Sequence, residues 1–253
     1  MRTRYLLAFG LLLAPRLAFA APPAVAGAAV TGGDDLLGRP LALVVALALV
    51  SLLPFVFMTT TAFVKIATTL QIVRSAIGAQ GVPSNTMVMA LAGALSLLAM
   101  APVGDKIAER AKPWLEGDRA RETSQLVPGI IDAVREPMRD FLFANASPRE
   151  RARFLDVARK SRGGDVTRVG ERDLTVLVPA FMTTELYEAF SLGFLVFLPF
   201  LVLDLVVANV LLALGMQMLQ PTQVSLPFKL LLFVAIDGWG LLARALVSGY
   251  QTG

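Results

Sequence analysis

The chain contains no cysteine and no histidine. The first absence excludes disulfides, thiol catalysis and thiolate metal sites. The second excludes Ser-His-Asp triads and histidine-held haem or zinc, and removes the usual proton shuttle near neutral pH. Any proton or ion relay must therefore use Asp, Glu, Lys or Tyr. Charge is also scarce. Charged residues make up 17% of the 253, against about 25% in ordinary soluble domains. The net charge of +4 comes with no basic stripe, so nucleic acid is not an expected partner. There is no P-loop, so energy for any work must come from a partner ATPase or a proton gradient. Apolar residues fill the space instead: 56% of the chain, with a mean hydropathy of +0.67, which points to lipid.

The N-terminus reads as a targeting segment. Arg2 and Arg4 precede an apolar run too short to span a bilayer, and Ala18-Phe19-Ala20 fits a small-x-small cleavage site. Residues 1–20 are read as a signal peptide, with an uncleaved anchor as the alternative, and residues 21–40 as a flexible segment rich in Ala, Pro and Gly. Residues 41–58 and 87–103 are long apolar runs and form a first helical hairpin over 41–103. Pro54 is expected to bend or break the first run near its end. Lys65 and Arg74 fall between the runs. They are read as the charges of a short cytoplasmic connection, which agrees with an outside N-terminus.

Residues 104–177 hold most of the charges and no apolar run, so they are read as a soluble helical insert outside the cytoplasmic membrane. Ile130, Ile131, Val134, Met138, Phe141 and Leu142 give helical periodicity over 125–145. Ser147-Pro148-Arg149-Glu150 is a capping box with Pro at the first helical position, predicting a helix over 148–160 that ends at Gly163-Gly164. Glu185 and Glu188, one turn apart, resemble a carboxylate pair. They are read as marking a helix start after Thr183-Thr184, where acid complements the dipole.

Residues 178–253 form a second hairpin. Its apolar segments, 186–214 and 226–247, contain Asp204, Asn209, Lys229, Asp237 and Arg244. A charge at a helix centre costs about 2.5–3.5 kcal/mol on insertion scales, so such residues seek partners or water. Asp204 and Lys229 are equidistant from Met216 and Gln217, where Gly215 and Pro221 supply turn chemistry. In an antiparallel hairpin they lie at one depth and can pair; the alternative is that each is solvated separately. The turn, Met216-Gln217-Met218, carries flexible uncharged side chains where a cytoplasmic loop usually carries Lys or Arg. On spacing alone, packing filler is the simpler reading of these methionines.

Several blocks resemble the SctR/FliP family, the export-gate proteins of bacterial type III secretion. They are Phe63-Val64-Lys65-Ile66; Gln71 to Gly78; Pro179-Ala180-Phe181; Glu185-Leu186; Asp204 to Asn209; Leu214 to Met218; Leu226 to Lys229; and Asp237-Gly238-Trp239. The likeness covers about 41–103 and 178–250 and is collinear. It implies an all-α membrane-associated protein of two long hairpins, with four hydrophobic segments lifted partly out of the bilayer. It implies five copies assembled with small SctS/FliQ-like and SctT/FliR-like subunits and an SctU/FlhB-like switch protein. Unfolded secreted proteins pass through this assembly across the inner membrane, and no cofactor is implied. It gives Met216, Gln217 and Met218 the role of a gasket across the pore, although flagellar members carry three consecutive methionines. It gives Asp237, Trp239, Lys65, Arg74 and Glu185 a place in the hairpins and their assembly. The Met-Gln-Met turn looks like the injectisome branch and the signal peptide like the flagellar one; the injectisome is favoured. Two other classes compete on the residues alone. A solute transporter or ion channel would need a midplane site or filter, and neither is visible. An intramembrane enzyme would need catalytic or metal spacing that is absent.

Overall fold

The computed structural model describes residues 35–79, 81, 83–115, 123–161 and 169–251. Residues 1–34, with the expected signal peptide and most of the segment after it, lie outside the described residues, as does the expected Gly163-Gly164 helix end. The described residues are helical, with no strand among them: α1 (Asp35–Thr60), α2 (Phe63–Ile77), α3 (Asn85–Leu115), α4 (Thr123–Asn145), α5 (Pro148–Ser161), α6 (Leu174–Ala213), α7 (Pro221–Ala235) and α8 (Gly238–Ser248). The chain divides into two compact units, Met1–Ala48 and Leu49–Gly253. The described part of the first is helical from Asp35. The second holds the packed body.

Among the described residues two helices, α3 and α6, are long and apolar enough to cross a membrane, or up to four segments if each of two bent pairs counts as one. Two of the apolar runs thus lie in single long helices, α3 and α6, and the other two belong to bent helix pairs. The first broken pair, Val50–Thr60 with α2, bends by 70°. The bend is not at Pro54, which α1 absorbs, but at Thr61 and Ala62. There the hydroxyls of Thr59, Thr60 and Thr61 bond back to the carbonyls of Phe55, Val56 and Phe57 at 3.0, 2.8 and 2.7 Å. Such back-bonding competes with the backbone ladder and favours a bend. The second pair, α7 with α8, bends by 57° at Asp237, a non-glycine residue in the left-handed region (φ 51°).

Three expectations need correction. Lys65 and Arg74 are not in a connecting loop but inside helix α2. Phe63, Ile66, Ala67, Leu70, Val73 and Ile77 recur at helical spacing and are all buried, so packing overrides the two charges. The turn comes later, after Gly78, whose left-handed conformation (φ 75°) caps α2. No helix starts after Thr184. α6 begins at Leu174 and runs 40 residues through Pro179 and Pro199. Val176, Leu177, Ala180 and Phe181 extend the buried face upstream, and the Thr184 hydroxyl bonds back to the Ala180 carbonyl at 2.8 Å instead of capping. α3 likewise continues through Gly104 to Leu115, so the change of composition there is not a break in the helix.

At about 1.5 Å per residue α6 is about 60 Å long, twice the roughly 30 Å hydrocarbon core of a bilayer. One end of it packs inside protein. Leu177, Ala180 and Phe181 join Ile66 and Leu70 of α2, Val88 of α3, Phe141 and Leu142 of α4 and Leu246 of α8 in the main core. The other end is sparsely covered: Phe200 meets Val73, Ile77 and Phe233 in a small second cluster. α5 starts where the capping box placed it. The Ser147 hydroxyl accepts the Glu150 N–H at 3.3 Å, while the Ser147 N–H donates to Thr184 on α6 at 3.0 Å. The turn between α4 and α5 is thereby tied to the long helix.

Candidate functional site

The tip of the second hairpin is a projecting turn. α6 closes with two backbone bonds, Gly215 N–H to the Leu212 carbonyl at 3.0 Å and Met216 N–H to the Leu211 carbonyl at 2.9 Å. With Gly215 left-handed (φ 71°), this is a Schellman closure. Gln220 is extended and Pro221 opens α7. The closure leaves Met216, Gln217 and Met218 outside both helices and exposed; Met218 is 97% exposed. An apolar side chain held so far from its own core is available to a surface outside the chain.

Behind the tip, the structure brings Asp204 and Lys229 together. Lys229 Nζ lies 2.7 Å from Asp204 Oδ2 and 3.3 Å from the Ala76 carbonyl on α2. The Ser225 hydroxyl donates to the second Asp204 oxygen at 2.5 Å. Lys229 is buried, whereas the Asp204 carboxylate keeps a quarter of its surface exposed. The pair therefore ties α6 to α7, and through Ala76 it ties both to α2. Ser225 had escaped notice in the sequence, although it stands one turn before Lys229 on the same face.

A second polar cluster lies at the opposite, packed end. Lys65 Nζ is 2.6 Å from Glu188 Oε2 and 4.5 Å from the centre of the Tyr250 ring. The Tyr250 hydroxyl contacts the Glu185 carboxyl and lies 3.2 Å from the Ala62 carbonyl, at the α1–α2 bend. Burial, and then the neighbouring Glu185 carboxyl, hold the Tyr250 phenol above its ordinary pKa, so it stays protonated and remains a donor. The next residue exchanges two bonds with Asn145 of α4: Gln251 N–H to Oδ1 at 2.9 Å and Nδ2 to the Gln251 carbonyl at 2.8 Å. A polar cavity of about 180 Å³ opens beside Lys65, Glu185, Glu188 and Asn145. Glu185 and Lys65 thus meet in one network, but Glu185 and Glu188 are not a free carboxylate pair. Neither Tyr250 nor Asn145 carries a local motif, and no signal in the sequence marked them.

The remaining residues stand apart from both clusters. Trp239 packs edge-on against Phe233, ring centres 5.1 Å apart, and roofs the second core cluster. Asp237 is exposed at the α7–α8 bend. The Arg74 Nε is buried without a hydrogen bond. The arrangement offers ties between helices and an exposed tip, and among the described residues it brings no nucleophile together with a base.

Residues 46–246 match the FliP family. Hypersensitivity response secretion protein HrcR of Ralstonia nicotianae is 40% identical over 210 residues, 83% of this chain and 96% of that protein. Yop proteins translocation protein R of Yersinia pestis is 40% identical over 210 residues, 82% of this chain and 95% of that protein. Flagellar biosynthetic protein FliP of Caulobacter vibrioides is 40% identical over 222 residues, 87% of this chain and 80% of that protein.

Proposed function

Because this chain belongs to the FliP family, we propose that it is a core subunit of the export gate of type III secretion. It is a structural component of a secretion apparatus, a membrane protein that works with other secretion subunits. The observation that carries this reading is the reach of the family match. It covers residues 46–246, most of both hairpins, including the Met216–Met218 turn and the Asp204–Lys229 tie. Two of the three relatives bear names of protein secretion or translocation systems and one a flagellar name, and the injectisome branch is the reading we favour.

The finer picture follows from the resemblance. Five copies ring a pore together with SctS/FliQ-like and SctT/FliR-like subunits, next to an SctU/FlhB-like switch protein, and unfolded proteins pass through. The assembly sits in the inner membrane with residues 104–177 on the periplasmic side. Met216, Gln217 and Met218 point into the pore and seal it at rest. Their exposure supports this, as does the length of α6, which exceeds what one crossing requires. A solute transporter is the weaker alternative, because Asp204 and Lys229, two of the charges that suggested it, already satisfy one another. Deleting the gene should abolish secretion of a reporter substrate, and the wild-type gene should restore it. Normal secretion with a defect in solute uptake would overturn the proposal.

A further inference from the structure

The packed end of α6 buries Glu185 almost completely, at 1% exposure, just before the apolar segment that begins at residue 186. An ionised carboxylate in such a place needs a cation or several donors. Lys65 is the cation on the facing helix α2, and it is committed to Glu188 at 2.6 Å. The partner that Glu185 does have is the hydroxyl of Tyr250, itself buried. α4 and the turn after it bring only neutral groups, Asn145 and Ser147, to the adjoining cavity. Among the described residues, Lys65, Glu188 and Tyr250 are therefore the titratable groups that face Glu185.

The Tyr250 hydroxyl meets two oxygens at once, the Glu185 carboxyl and the Ala62 carbonyl at 3.2 Å. A phenol has one hydrogen to donate, and a carbonyl can only accept. With Glu185 ionised, both neighbours are acceptors, and one of the two contacts sets lone pair against lone pair. With Glu185 protonated, both contacts close: its O–H donates to the phenol oxygen, and the phenol O–H donates to Ala62. The hydrogen count thus matches the acid. Deprotonation would turn the phenol hydrogen to the carboxylate and release the Ala62 carbonyl. That carbonyl sits at the 70° bend between α1 and α2, and its other bond, from the Ile66 N–H, is long at 3.3 Å. The polar cavity of about 180 Å³ beside Glu185 and the half-exposed Glu188 gives a proton its way in and out.

We propose that Glu185 is a proton-binding site: it holds its proton near neutral pH, exchanges it through the cavity, and sets through Tyr250 whether the α1–α2 bend is tied down. It gives a chain with no histidine a residue that responds to proton concentration. The site lies within one chain, so it stands or falls independently of the export-gate reading.

Infrared spectra of the full-length protein in detergent at neutral pH test this. Wild type minus Glu185→Gln should show the C=O stretch of one protonated carboxylic acid. Tyr250→Phe should shift that band, because the acid loses its acceptor. The pH dependence of unfolding gives a second reading. Gln keeps a donor for the phenol oxygen and cannot ionise. Below about pH 4.3, the ordinary glutamate value, folded and unfolded wild type both hold the proton. Above it the unfolded chain ionises first. The wild-type folding constant should then fall about tenfold per pH unit relative to that of Glu185→Gln, until the folded site gives up its proton too. If Glu185→Gln does not fold, the wild-type acid band and its shift in Tyr250→Phe still decide. Absence of an acid band, a band that Tyr250→Phe leaves unmoved, or a ratio of folding constants that stays fixed as the pH rises would overturn the proposal.

Discussion

The two ends of α6 place the same kinds of residue in opposite circumstances. Around Glu185, buried Lys65, Glu185 and Tyr250 find partners in each other's neighbourhood: Lys65 pairs with the half-exposed Glu188, Tyr250 with Glu185, and Gln251 with Asn145 of α4. Around Leu214, the helix leaves its own core. The Asp204–Lys229 pair is the last polar tie before a tip whose methionines touch little. The difference teaches where the chain is complete by itself. One end stores its fold in internal bonds, and the other presents apolar surface that only lipid or other subunits can cover. A protein built this way should lose stability when the first end is altered and lose function when the tip is.

The largest effect expected is at the boundary between the two. Asp204→Ala would leave Lys229 buried with only the Ala76 carbonyl, costing about 3–5 kcal/mol. Lys229→Ala should cost less, because Asp204 keeps Ser225 and some water. Unfolding of the purified protein in detergent reads both. The swap Asp204→Lys with Lys229→Asp should recover part of the loss. A wild-type midpoint for Asp204→Ala would mean that the tie contributes nothing.

Next is the seam between α2 and α6. A Cβ built on Gly193 would fall 2.6 Å from the tip of Ile72. Gly193→Ala should therefore overpack the seam by about 1–3 kcal/mol, and Ile72→Ala in the same chain should relieve most of it. If the second change adds to the first, the helices are not held this closely.

At the packed end, Tyr250→Phe keeps the ring but removes the hydroxyl from Glu185 and Ala62. The expected loss is about 1–2 kcal/mol, with no effect specific to the pore. Equal stability of Tyr250→Phe and wild type would show that the cluster is not a brace.

The smallest effect on stability is expected at the tip. Met216→Ala with Met218→Ala should stay within about 0.5 kcal/mol of wild type, since neither side chain belongs to the core. In an assembled gate the same double variant should raise leakage of ions and small molecules. A large loss of stability with an unchanged seal would make these methionines packing filler and erase the contrast between the two ends.

What the sequence made legible follows the reach of each signal. Local ones served well: Ser147-Pro148 marks the first turn of α5, and the periodicity from Ile130 to Leu142 marks α4. Asp204 and Lys229 had a signal in their equal distance from the turn. Misreadings arose where a local cue competed with packing. Lys65 and Arg74 suggested a loop, but seven buried apolar residues at helical spacing hold α2 together around them. Thr183-Thr184 before Glu185 imitated a helix start, while the face from Val176 to Phe181 carries α6 through it. Pro54 was the obvious place for a bend, yet three threonine hydroxyls set it seven residues later. The Tyr250 network joins residues from positions 62 to 251, and no pattern within one helix could announce it.

The central claim is that this chain is one of several identical subunits of an export gate. Native mass measurement of the detergent-purified protein, expressed with its neighbouring secretion subunits, tests it most directly. The account predicts a fivefold species that carries those subunits. A monomer that binds none of them and moves a small solute in liposomes would contradict it.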